Sequence, residues 1–268
     1  MISIIKTEFI KLKRFHILLI GMIGMTFPAI LSVFTQSVST PEAQIQNFNI
    51  SALLDNTIWN NATIFMPVTF TLIGGYLINR EYTDDTLKNI FTIPVSFQNL
   101  ILGKLITMSI LSVLFGFYSF LVTIIVGLVT GITGFSAVVL LKGLLQMPGM
   151  ALCTFISVLP IITLTSRKRD AFMGGVIISF LFGYCSMFIK NATLRSLYPI
   201  LSGLTVIQFD TRIYMNTTEP ANLFMSVLTL AAVLLLTSEI ILLSGPPQKT
   251  TKSKKNTMFL RQGQRRES

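Results

Sequence analysis

Side chains able to do chemistry are scarce in this chain, and two short polar stretches hold the groups of most interest. Residues 79–104 read NREYTDDTLKNIFTIPVSFQNLILGK and carry Glu81, Asp84, Asp85, Lys88 and Lys104. The amino-terminal residues carry Lys6, Glu8, Lys11, Lys13 and Arg14, followed by the single histidine, His16. One histidine gives neither a zinc site nor a histidine-based triad anything to build on. The phosphate-cradling pattern G-x-x-x-x-G-K-[ST] is absent: Gly103–Lys104 comes nearest, but Gln98 and Leu105 stand where a glycine and a hydroxyl belong. Cys153 and Cys185 lie in apolar runs with no Cys-x-x-Cys spacing, and read as packing residues. The residue types therefore exclude most enzymes and imply no cofactor or metal on this chain. What remains for the charges is electrostatic docking.

The elements that must position these charges are apolar. Of 268 residues, 51% are hydrophobic and 12% charged, with a mean hydropathy of +0.70. Soluble domains carry roughly 25% charged residues, so bilayer lipid is the solvent for most of this chain. Six runs are long enough to cross as helices: Ile17–Thr35, Ile58–Ile78, Leu105–Thr130, Gly143–Thr165, Phe172–Ile189 and Leu223–Leu243. The third is expected to tilt, or to break near Gly127 and Gly131. Gly21, Gly24, Gly174 and Gly175 also offer places where spans can approach closely. The sequence predicts an all-α integral membrane protein in three parts: an amino-terminal segment 1–16, a six-span domain 17–244, and a basic tail 245–268.

Charge distribution sets the expected topology. The net charge is +10. Its basic residues lie between and after the apolar runs, which points to topology and anionic lipid, not to nucleic acid. Alternate compartments hold 17 and 4 of the Lys and Arg residues, so both termini are expected in the cytoplasm. His16 reads as an interfacial side chain. Glu239 is the one acid inside a run, and either pairs with a basic residue or snorkels to the interface. Met1–Phe15 is amphipathic, with Ile2, Ile5, Phe9 and Leu12 on one face, and is expected to lie in the interface. Residues 190–222 include an apolar stretch, Leu197–Phe209, interrupted by Pro199 and Gly203 and expected as a re-entrant or surface-lying hairpin. Sequons at Asn49, Asn61, Asn191 and Asn216 carry no weight in a chain this rich in Asn and Thr.

Residues 79–104 are the most informative stretch. Thr83 is suited to cap a short helix over Asp84–Phe91, Asp84 and Asp85 suit its first turn, and Lys88 follows Asp84 by four residues. Glu81, then Thr86–Leu87–Lys88, Pro94–Val95–Ser96 and Leu102–Gly103–Lys104 resemble the pattern of permease subunits of ABC exporters of the second class. Glu8, Lys11 and Arg14 before the first span fit as well. Asp85 stands where that family often has Gly, and Phe97 where it often has Arg. The short form is similar to bacterial permeases that expel bacitracin or lantibiotics. The resemblance implies two permease chains, identical or sister, above two copies of an ATPase subunit that binds the ATP. It implies that the amino-terminal helix and the Asp84–Phe91 helix pass ATP-driven motion to the spans, with Glu81 and Lys104 bracing the joints. A stand-alone carrier or channel would need charges lining the spans. A membrane scaffold or sensor without transport would share the composition.

Overall fold

The computed structural model describes residues 2–13, 17–39, 45, 47–83, 97–165 and 171–243. Every regular element among them is helical: α1 (Ile2–Lys13), α2 (Ile17–Val38), α3 (Ile50–Asn60), α4 (Met66–Thr83), α5 (Phe97–Val129), α6 (Ala137–Thr165), α7 (Phe172–Cys185), α8 (Ala192–Leu197), α9 (Pro199–Val206), α10 (Arg212–Met215) and α11 (Leu223–Leu242). Among the described residues, five helices are long and apolar enough to cross a membrane. They are α2, the α3–α4 rod, α5, α6 and α11. The apolar run at 172–189 forms the shorter α7, 14 residues long. It measures about 21 Å at the α-helical rise, against a hydrocarbon thickness of roughly 30 Å.

The ends of the helices follow from local chemistry. Asn49, in an extended conformation, accepts the Ala52 N–H at 3.0 Å and starts α3 eight residues ahead of the expected Ile58. Polar Asp55, Asn56, Asn60 and Asn61 disguise those first turns as loop. Asn191 and Asn222 cap α8 and α11 in the same way. α5 runs through Gly127 unbroken and stops at Gly131, whose φ of +71° suits a residue without a Cβ.

α4 and α6 lie at the centre. In the most apolar stretch of each span, 72% of residues are buried in the α3–α4 rod and 67% in α6, but only 22% in α11. α5 packs on α6 so closely at Gly116 that a Cβ there would stand 2.5 Å from Pro148 Cα. Phe70 and Phe155 meet edge to face in the core, with centroids 6.1 Å apart. Side-chain hydrogen bonds tie the spans crosswise: Thr26 with Tyr118 at 3.0 Å, Asn60 to Ser32 at 3.3 Å, Asn61 to Ser119 at 2.9 Å and Thr71 with Ser179 at 2.6 Å. In apolar surroundings such bonds average about 0.6 kcal/mol each.

The expected hairpin enters the bundle. Ile200, Leu201, Ser202, Gly203 and Leu204 of α9 are buried where α9 packs on α6 and α11. The hairpin also closes over the end of α7, where the Tyr198 hydroxyl donates to the Phe182 carbonyl and the two rings stack at 4.9 Å. Cys153 is buried, against Gly203, and Cys185 is exposed.

Candidate functional site

α1 is held against the start of α5 by a buried ion pair. Lys104 Nζ donates to Glu8 Oε2 at 2.7 Å, and the two residues are 3% and 2% exposed. One turn further along α1, Leu12 is also buried, and Phe9 packs against the same core that holds Ile101, Leu105 and Met108. Spacing of three and four residues brings Glu8 and Leu12 to one face of α1. Ile10 points away, 55% exposed. The amphipathic face is therefore displaced from the reading of apolar residues alone: an acid sits inside it, because a lysine from another helix meets it there.

Energetics make this contact a clamp. Two buried charges at salt-bridge distance cost desolvation energy that their attraction roughly offsets, but removal of either partner takes a counter-charge from the other at a cost of about 3–5 kcal/mol. α1 and α5 are thus firmly joined at the end of the bundle where α4 finishes and α5 begins. Gln98, on α5 ahead of Lys104, donates through Nε2 to the Leu242 carbonyl at 2.9 Å. The last turn of α11 is tied to the same corner.

The structure places the remaining sequence-derived candidates as follows. Glu81 falls in the last turn of α4. Its side chain lies outside the described residues. So do Asp84, Asp85, Thr86, Leu87, Lys88 and Pro94 with the expected Asp84–Phe91 helix, the Lys11 side chain, Arg14, His16 and the tail 245–268. Glu239 is exposed on α11, about a turn from its end, and makes no ion pair among the described residues. Among the described residues no group of three His, Cys, Asp or Glu residues could hold a metal ion.

Two clefts accompany this framework. One, of about 340 Å³, lies between α5, α6 and α11 and is lined by Leu105, Phe155, Leu159 and Ile241 among others. Its hydroxyls, Ser109, Thr237 and Ser238, donate to carbonyls of their own helices, so its surface is effectively apolar. The other, of about 390 Å³, lies by the hairpin and includes Gln208, Thr211 and the ion pair in which Arg212 donates to both carboxylate oxygens of Asp210, at 2.9 and 2.8 Å. Those hydrogen bonds hold the Asp210 carboxyl below its ordinary range. Beyond the ion pair, the Tyr214 hydroxyl donates to Asn56 Oδ1 at 2.7 Å and ties the hairpin to α3.

Sequence reading misses two features. Arg195 is 1% exposed, donating to Thr211 Oγ1 and to the Glu219 carbonyl, and pins the two arms of the hairpin. Its position in a loop-like stretch of mixed residues carries no signal of burial. The second is a π-helical turn, Asn61–Phe65, between α3 and α4.

Comparison with known proteins gives the arrangement its context. Residues 4–186 match the family model described as ABC-2 family transporter protein. Over 146 residues the chain is 32% identical to the bacitracin transport permease protein BCRB of Bacillus licheniformis, covering 54% of this chain and 69% of that protein. The region matched by the family model takes in α1, the clamp and the segment between α4 and α5. The chain belongs to the ABC-2 transporter family, as a membrane permease subunit and not an enzyme.

Proposed function

We propose that this chain forms the pathway of an ATP-driven exporter and receives its motion from a separate ATPase subunit. The observation that carries the reading is the buried Glu8–Lys104 clamp. It makes α1 and the start of α5 one rigid body, and residues 84–96 connect α4 to that start of α5 in the sequence. A cytoplasmic partner pressing on that segment would then move α1, α5 and, through the Gln98–Leu242 bond, α11 together. Rigid-body motion of packed helices is how such a push becomes a change of access.

Several finer features belong to the same reading. α7 with its hairpin counts as the sixth span, giving an even number and both termini in the cytoplasm of a bacterial cell, in keeping with the charge distribution. Two copies of the ATPase subunit would carry the ATP, beneath two permease chains, identical or sister. The broad exposed apolar faces of α2, α7 and α11 suit lipid and a second permease. The relative named as a bacitracin permease favours an amphipathic peptide antibiotic as cargo, and the scarcity of charge in the spans suits an amphipathic or lipid-like molecule.

The test is co-expression with a candidate ABC ATPase subunit from the same cell. Deletion of 84–91 is expected to leave a chain that inserts but neither co-purifies with the ATPase nor confers resistance to the peptide. Glu8→Gln is expected to keep co-purification and lose most export. A deletion variant that assembles and exports normally would sink the coupling.

A further inference from the structure

The second membrane rod, Ile50 to Thr83, is not a uniform α-helix. At Asn61–Phe65 it widens into a π-turn, in which the Met66 N–H reaches back five residues to the Asn61 carbonyl. One extra residue is accommodated there, so α3 and α4 are out of phase by one residue, about 100° of rotation. Such turns are uncommon and concentrate at functional positions.

Two neighbouring asparagines stand at this point and face different spans. Asn60 Nδ2 donates to Ser32 of α2 at 3.3 Å, and Asn61 Nδ2 donates to Ser119 of α5 at 2.9 Å. Asn61 is fully buried, and its Oδ1 has no hydrogen-bond partner among the described residues. A buried amide satisfied on one side only is not held as firmly as its burial would suggest. α7 gives the turn room. Gly183 lies against the Thr63 carbonyl so closely that a Cβ would stand 2.2 Å from its oxygen. The Thr63 hydroxyl donates to the Trp59 carbonyl at 2.7 Å, supporting the widened backbone.

We infer that the π-turn is a slip joint with two registers. When the wide turn moves one helical turn toward the start of α3, each residue it passes rotates by about 100°. Asn61 then arrives where Asn60 stood and meets Ser32. The doublet keeps an amide on Ser32 in both registers, while the slip gives up the bond to Ser119 and the stack of Trp59 on Tyr214. The lost hydrogen bond together with the lost aromatic stack sets the second register at least tenfold below the first. The slip turns the middle of the rod, the residues that the wide turn passes, while both ends keep their orientation and the rod stays unbroken.

Cysteine cross-linking in bilayer nanodiscs tests this, in a chain with C153A and C185A. The pair S32C/N60C reports the register described and serves as the control for folding. The pair S32C/N61C is expected to cross-link at a rate at least tenfold lower, yet above S32C/A62C, as the minor register is visited and trapped. S32C/A62C is expected at background, since Ala62 faces Ser32 in neither register. If S32C/N60C cross-links and S32C/N61C stays at the level of S32C/A62C, the turn is fixed and the inference falls. The link to transport rests on the ATPase reading and has its own arm. Nucleotide added to the full complex is expected to change the ratio of the first two pairs; an unchanged ratio keeps the slip and removes its connection to the ATPase.

Discussion

Neutralising one side of the clamp between α1 and α5 should be among the most damaging single changes in this chain, and neutralising both sides should not. At the 2.7 Å separation of Glu8 and Lys104, an effective dielectric of about 20 gives an attraction of about 6 kcal/mol. Dehydrating the two groups offsets most of that, so the pair itself contributes little net stability. Glu8→Gln takes one carboxylate from the buried Lys104 ammonium, and Lys104→Met takes one ammonium from the buried carboxylate; each is expected to cost about 3–5 kcal/mol. The double variant removes both charges of the pair, and a thioether side chain of similar length fills the lysine's path. It is expected to lie within about 1–2 kcal/mol of the parent, an interaction energy large enough to read in a double-mutant cycle. Trp59 is the only tryptophan and stacks on Tyr214 with centroids 4.8 Å apart, so its fluorescence follows unfolding in mixed micelles. Proteolysis of α1 gives the local counterpart. Single variants that each cost under about 1 kcal/mol, or a double variant whose loss equals their sum, would refute the clamp.

Gly183→Ala places a methyl group against the Thr63 carbonyl and is expected to cost about 1–3 kcal/mol, read as a lower melting temperature in detergent. Arg195→Met keeps the buried stem but releases Thr211 and the Glu219 carbonyl. Limited proteolysis between residues 206 and 222 should accelerate at least tenfold, in line with about 1.5–3 kcal/mol for a charged hydrogen bond. Glu239→Gln is expected to change neither melting temperature nor export, since Glu239 is exposed. Arg212 lowers the folded-state value of Asp210, so this contribution is full above about pH 4 and is lost as pH falls through the folded value. Asp210→Asn should therefore make the melting temperature slightly less sensitive to acidification in that range, by a small margin because the pair is half exposed.

Hydropathy makes the helical membrane architecture legible because burial in lipid leaves a signal in every residue of a span. The start of α3 is hidden because a helix that Asn49 caps and that carries Asp55 and Asn56 looks like loop when read by polarity. Glu8 and Lys104 each stand out in the sequence, but their pairing does not: 96 residues separate them, and nothing local to either announces the other. Glu8 looks like part of a solvated face because its neighbours Lys6 and Thr7 are. The π-turn leaves no trace in composition, since one residue of slip within an apolar stretch preserves its hydropathy. Arg195 reads as a loop charge because a buried guanidinium held by a hydroxyl and a carbonyl needs no acid nearby to advertise it.

The clamp also sets an order of events during synthesis. Glu8 is made before its lysine, which comes 96 residues later. At about 5–20 residues per second the acid waits on the order of 5–20 s for its partner. Through that interval the carboxylate has no Lys104 to meet, so α1 is expected to rest at the membrane surface while α2, α3 and α4 are threaded. Only when the start of α5 emerges can α1 turn its acid inward. Seating of the first helix is therefore a late step, and it registers that the first half of the bundle has been laid down.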